Sequence, residues 1–400
     1  MSIPLAAGRK RSRLLILAVA VLLLNGQPGR AESPKFELKD GDQIVLLGGT
    51  FIERDQYHGY LETILTTRLP EKNFTFRNLG WSGDTVTGIS RARFGPVAEG
   101  FQHIKDHVEA LKPTVIIVGY GANEAFEGEA GLPQFRDGLN TLLDTLVAGT
   151  HARIVLLSPI KAEKKPAPLP DPAKHNADLK LYSEAIGDVA KERNMAFIDL
   201  YNLVPMDDDA KVPMTDNGIH LTQYGYWKTG EILAEQLGAN LKSTPSTVDA
   251  KQVDHGFQFT VTRDLLPLPA SPVAGDDSAA RKPGIVVKDL PDGRYLIDVD
   301  GKHVPGHAHG GKAAVVAAVD VQQTEEVRSL INAKNRQYFY RWRPQNETYL
   351  FGFRKHEQGQ NAREIPLFDP IVAELEAKIA TLRKPKPHTY KLIREGEVAR

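Results

Sequence analysis

Between residues 40 and 240 the chain alternates five short apolar runs with longer amphipathic stretches, and this alternation limits the possible folds more than any other feature. The runs are Gln43 to Gly48, Phe74 to Gly80, Thr114 to Gly121, Arg153 to Pro159 and Ala196 to Leu200. Each is short, rich in branched residues and closed by glycine, proline or aspartate, which is the pattern of strands buried on both faces. Between them, apolar residues recur three and four apart: Leu61, Ile64, Leu65 and Leu69; Phe135, Leu139, Leu142, Leu143 and Leu146; Leu179, Tyr182, Ile186 and Val189. Those are helical stripes, with Asp171 and Pro172 predicted to open the third and a last helix expected from about Leu221 to Leu241. Strands alternating with helices predict a parallel sheet covered on both faces, a three-layer α/β/α sandwich.

The remainder of the chain reads differently. Phe257 to Val261, GIVVKDL and RYLIDVDGKHV are predicted strands, and Asp300-Gly301 is a predicted turn. A Pro/Ala-rich stretch over 266–283 lacks periodicity and is expected to be a linker or surface loop. Thr324 before two glutamates is a predicted helix cap. Val327, Leu330, Ile331 and Tyr338, then Ile371, Leu375, Ile379 and Leu382, mark two helices. The domain reading is therefore a leader over 1–31, an α/β unit over 32–245, a small β unit over 246–310 and a helical, aromatic-rich extension over 311–400.

Composition narrows the function. Fifty basic residues balance fifty acidic ones, which gives no field to gather nucleic acid or an acidic membrane surface. Basic residues from Arg9 to Arg13 precede an apolar run from Leu14 to Leu24, and small residues follow up to Ala31. That is the pattern of a secretory signal cut after Ala31, and the mature chain is expected to be periplasmic or extracellular. The run is shorter than the roughly 20 residues of a membrane span, so no stable span is expected after cleavage, a retained anchor being the alternative. The absence of cysteine excludes disulfides, thiol catalysis and cysteine-ligated zinc.

Four segments at predicted strand ends carry the chemistry: GGTF (Gly48 to Phe51), NLGWSGDT (Asn78 to Thr85), GYGANE (Gly119 to Glu124) and TDNGIHLT (Thr215 to Thr222). Brought together at the top of the sheet, they supply a hydroxyl, glycine N–H groups, a side-chain amide and an imidazole. Acyl transfer needs a nucleophile, oxyanion donors and a base, and these are such a set. In order and spacing the four segments resemble the motifs of the GDSL/SGNH hydrolase superfamily, over about residues 40 to 240. The resemblance implies a flavodoxin-like sandwich with no metal or organic cofactor. It places Thr50 where the family has its serine nucleophile, Gly83 and Asn123 where it has oxyanion donors, and His220 where it has its base.

The chain departs from the family pattern at four positions. Gly49 and Glu124 stand where the family has aspartates. Asn217 stands at the acid position three residues before His220, with Asp216 beside it as another candidate to orient the imidazole. Thr50 adds a methyl group that restricts χ1 and crowds an acyl group. The expected activity is hydrolysis of a small-molecule or polysaccharide ester, O-acetyl groups of polysaccharides being the preferred substrate. The alternative is a catalytically silent module that binds a glycan or a partner in the same cleft, with Thr50 serving only to cap the next helix. Ser82 and Ser158 are spare hydroxyls.

Three features lie outside this set. His303, His307 and His309 form a Gly-rich stretch readable as a surface loop or a metal site. Asp207 to Asp209 is an acidic loop with a possible calcium role. The aromatic and arginine-rich segment over 336–366 suits either helix packing, sugar recognition or a wall at the cleft mouth. Oligomeric state has no signature in the sequence.

Overall fold

The computed structural model describes residues 36–207, 210–273, 284–316 and 319–396. Strand β1 (Gln43–Gly48) is buried over all but its first residue. It is flanked in parallel by β2 (Thr75–Gly80) and β3 (Val115–Gly119), and β4 (Arg153–Leu157) and β5 (Ala196–Ile198) extend the sheet beyond β3. The strand order β2-β1-β3-β4-β5 is the flavodoxin-like, doubly wound order. Alternation along β1 explains the layers. Val45 and Leu47 point into one core with helices α3 (Val97–Leu111), α4 (Gly128–Thr150) and α5 (Ala173–Glu192). Ile44 and Leu46 point into the other with α2 (Tyr60–Arg68) and α7 (Gln223–Gln236). Two short helices sit at strand ends: α1 (Thr50–Asp55) after β1 and α6 (Leu200–Leu203) after β5. The expected three-layer sandwich is present, with β1 where expected and the other four strands shortened by a residue or two at their ends.

A second, six-stranded sheet follows. It contains β6 (Ser246–Asp249), β7 (Lys251–Val253), β8 (Gly256–Val261), β9 (Ile285–Val299), β10 (Lys302–Val316) and, from the end of the chain, β11 (His388–Arg394). GIVVKDL and RYLIDV are one strand rather than two: β9 continues through Pro291 to the Asp300-Gly301 turn. Between β10 and β11 the chain forms α8 (Val321–Trp342), α9 (Glu347–Leu350), α10 (Lys355–Gln358) and α11 (Phe368–Leu382). Tyr338 and Trp342 of α8 and Val372 of α11 join the α3–α5 core of the first sheet. Arg77 of edge strand β2 pairs with Glu376 of α11, so these helices cover an edge that would otherwise be open. The extension is thus helical in its middle and a strand at its end.

Several local expectations change. Helix α8 begins at Val321 with Asp320 as N-cap, and Thr324 is buried inside it, donating to the Pro267 carbonyl at 3.0 Å. The first part of the 266–283 stretch is docked, not a free linker: Leu266 and Leu268 are buried and the Pro269 carbonyl accepts from Trp227 Nε1. Residues 274–283 lie outside the described residues, as do 1–35 and therefore the whole leader. The histidine-rich run is not a loop but part of β10, where His303 meets Asp298 and His307 meets Glu395. Among the described residues no group of three or more His, Asp or Glu could hold a metal ion, and Asp208 and Asp209 are outside them. No described helix is long and apolar enough to cross a membrane.

Candidate active site

Each functional side chain is delivered by a sharp change of direction at the carboxyl end of the parallel sheet. β1 ends at Gly48, where a Cβ would stand 2.3 Å from the Gly119 carbonyl oxygen, so only glycine allows β1 and β3 to approach this closely. Gly49 is the N-cap of α1 and offers no capping side chain, leaving the first-turn N–H groups, that of Thr50 included, for a ligand. Thr50 is the first residue of α1, not its cap. Its hydroxyl accepts from the Gly83 N–H at 3.1 Å. Gly83 holds φ at +74° in the turn after β2, a conformation glycine adopts without strain.

The second and third segments lock together. Asn123 Nδ2 donates one hydrogen to the Asp84 carbonyl at 2.9 Å, and a Cβ on Gly49 would be 3.9 Å from that nitrogen. The amide therefore stands beside the Gly49-Thr50 turn with its second hydrogen unspent. Glu124 takes the Val86 and Gly121 N–H groups, one on each oxygen, at 2.9 Å, so it clamps the two loops. Asp84 is buried and occupied by Arg91, Tyr120 and the Ser90 N–H, a purely structural set. Ser158 is also buried and structural, accepting from the Tyr201 N–H.

His220 lies in a tight loop closed by a Thr215–Leu221 bridge and anchored by Glu163, which accepts from the Thr215 N–H and hydroxyl. Thr222, not His220, caps α7. The orienting group is Asn217. Its Oδ1 accepts from the Ile219 and His220 N–H groups at 3.2 and 2.9 Å, which fixes the amide orientation. Its Nδ2, a donor, then faces His220 Nδ1 at 3.0 Å. Nδ1 must accept, so the neutral imidazole carries its proton on Nε2. Asp216 does not reach the ring; its carboxylate is 3.2 Å from Arg54. Burial and the Arg54 guanidinium hold the His220 pKa below its ordinary value, and Asp216 opposes them.

Thr50, Asn123 and His220 line one cleft. Among the described residues no hydrogen bond joins Thr50 to His220. The far wall is apolar: Phe126 stacks on His175 at 4.2 Å, with Ile160 and Leu179 beside them. None of residues 336–366 lines this cleft. Sequence reasoning identified the four segments but missed Glu53 and Arg54. Both lie within one helical turn of Thr50. Glu53 accepts from the Ser82 N–H and holds the second segment, while Arg54 captures Asp216.

Residues 42–228 match the model of the GDSL-like Lipase/Acylhydrolase family. A GDSL esterase/lipase of Oryza sativa subsp. japonica is 25% identical over 195 residues, 42% of this chain and 73% of that protein. Among solved structures, a gut microbial diltiazem-metabolizing enzyme is similar at a TM-score of 0.67 and 14% identity, covering 91% of this chain and 99% of its own. An acetyl xylan esterase reaches a TM-score of 0.38 at 15% identity, over 48% of this chain and 98% of its own.

Proposed function

We propose, from the premise that this chain belongs through residues 42–228 to the GDSL-like lipase/acylhydrolase family of ester-hydrolysing enzymes, that its acyl transfer runs through Thr50 with His220 as the base. The observation that carries the reading is that Thr50, Asn123 and His220 line one cleft, with the Gly83 N–H on the Thr50 hydroxyl. In this mechanism the Thr50 oxygen bonds to the ester carbonyl carbon while its proton passes to His220 Nε2. The carbonyl oxygen becomes an oxyanion held by the Thr50 and Gly83 N–H groups and the free hydrogen of the Asn123 amide. Collapse breaks the bond to the alcohol, which leaves with the proton from the imidazolium. Water, deprotonated by His220, then releases the acid.

Two adjustments separate the resting site from this chemistry. The Thr50 hydroxyl must leave the Gly83 N–H, and His220 must present a lone pair at Nε2, which requires the Asn217 amide to reverse. A carbonyl oxygen entering the cleft competes for the Gly83 N–H and favours the first change. We further propose that the natural substrate is a small acyl ester, an O-acetyl group of a polysaccharide, and that the chain acts outside the cytoplasm after loss of residues 1–31. The substrate reading draws on the stacked Phe126 and His175 rings that line the cleft. The export reading draws on the basic and apolar leader.

The test is turnover of 4-nitrophenyl acetate and acetylated xylan by protein beginning at Glu32, alongside Thr50→Ala, Thr50→Ser and His220→Ala. Loss of about 10³-fold or more in both alanine variants is expected; an unchanged Thr50→Ala would remove threonine from the mechanism. The Asn217 amide on His220 favours one other reading, a cleft that binds its ester or glycan without turning it over. A silent wild type beside an active Thr50→Ser would select that reading.

A further inference from the structure

A second concave surface lies where the second segment meets the C-terminal extension. It is lined by Trp81, Ser90, Phe94, Arg343, Gln345 and Thr348, among others. The Gly83 loop links the two clefts: its N–H meets the Thr50 hydroxyl, Ser90 Oγ is 3.4 Å from where a Cβ on Gly83 would stand, and Glu53, one turn beyond Thr50, bonds both the Ser82 N–H and Arg343. A ligand whose ester sat against Thr50 would extend its remaining part over this loop.

The chemistry of the surface is that of a neutral polyol site. Phe94 is 83% exposed, is braced edge-on by Phe353 at 6.0 Å and presents its free face to solvent. Its position is held from below, because the preceding Arg93, at a φ of +56°, is tied to Glu347. Both cations at the site are already neutralised, Arg93 by Glu347 and Arg343 by Glu53, so it has no unmatched charge to select an anion. The side chains of Ser90, Gln345 and Thr348 make no hydrogen bond to other described residues, and Arg343 spends only one N–H on Glu53 while its plane lies 3.6 Å over the Trp81 ring. An exposed aromatic face surrounded by uncommitted hydroxyl, amide and guanidinium donors matches a sugar ring, whose faces are apolar and whose edges are hydroxyls.

We infer that this surface is a subsite for a neutral sugar chain, built by the C-terminal extension against the oxyanion loop. It holds the polysaccharide part of the substrate while the ester lies at Thr50. The inference rests on the ester-hydrolase reading for its place in the reaction but not for its binding, and the experiment separates the two. Xylohexaose, carrying no ester, is titrated calorimetrically into wild-type protein, Phe94→Ala and Gln345→Ala, with thermal melts to confirm folding. Binding by wild type, weakened about tenfold by Phe94→Ala and less by Gln345→Ala, is expected. In parallel, Phe94→Ala should leave 4-nitrophenyl acetate turnover within twofold while raising KM on acetylated xylan. If no ester is turned over at all, the titration still decides the subsite. Absence of binding to xylohexaose and cellohexaose alike, binding unaffected by Phe94→Ala, or a wild-type dimer that Phe94→Ala dissociates into monomers would each overturn it, the last by assigning the face to a second copy of the chain.

Discussion

The smallest decisive feature of this site is one amide. With a carboxylate at position 217, one oxygen could take the Ile219 and His220 N–H groups while the other accepted from Nδ1–H, leaving Nε2 free to act as a base. Asn217 keeps the first contact and inverts the second. Turning the amide over to restore the productive tautomer gives up two backbone hydrogen bonds, each worth about 1 kcal/mol net. Asn217→Asp is therefore expected to raise kcat/KM on 4-nitrophenyl acetate by at least about tenfold, the equivalent of about 1.4 kcal/mol. The pH profile supplies a second readout. In the proposed mechanism His220 acts only when neutral, and its lowered pKa in the wild type should put the acid limb below the ordinary histidine value. A carboxylate at 217 favours the imidazolium, so the limb should move to higher pH in the variant. A faster enzyme with an unmoved limb would show that Asn217 acts by some route other than the imidazole.

Among the elements, what was legible in the sequence divides by how local the signal is. The strands of the first sheet and the stripes of α2, α4, α5 and α8 were legible because burial imposes a period within each segment. The departure at Asn217 was visible from spacing alone. The capture of Asp216 by Arg54 was not, because those residues are 162 positions apart and only the fold brings them together. The strand β11 was missed although it carries a period-two signal: Tyr390 and Leu392 are fully buried with Lys391 between them. Its position after a helical extension hid it, since nothing local says which sheet will take it. The docking of α8 depends on another contact of this kind. Lys334 reaches the buried Glu62 of α2 at 2.7 Å and also donates to the Phe76 carbonyl. Lys334→Ala leaves Glu62 buried without its partner, which should cost about 3–5 kcal/mol. The loss should grow with pH: burial already raises the Glu62 pKa, and without Lys334 it rises further. The folded variant then keeps a proton that the unfolded chain releases above its ordinary value, and stability falls as pH rises from about 5 to 8. Denaturant melts at the two pH values would measure this, and a pH-independent loss would argue that Glu62 stays ionised.

For the whole molecule, the path of the chain matters more than its two sheets taken separately. After β10 the chain leaves the second sheet, places Tyr338, Trp342 and Val372 in the core of the first, and returns to insert β11 between β8 and β9. Neither sheet can be completed without the other being nearly in place: β11 is hydrogen-bonded on both sides, and the helices that precede it cover the β2 edge. Separate unfolding of the second sheet would strand the C-terminal helices' return segment and open a hydrophobic core containing Phe259, Tyr295 and Ile297. We therefore expect one cooperative thermal transition rather than two. Tyr390→Ala tests this. The ring is fully buried and stacks on Phe259 at 5.0 Å, and its hydroxyl accepts from the Val319 N–H at the approach to α8. Truncation should cost about 3–5 kcal/mol. Because the two sheets unfold together, the single calorimetric peak should move down intact and the loss of turnover on heating should follow it. A peak that splits, with ester hydrolysis surviving the lower transition, would mean that the active-site sheet stands alone and that the second sheet is an independent appendage.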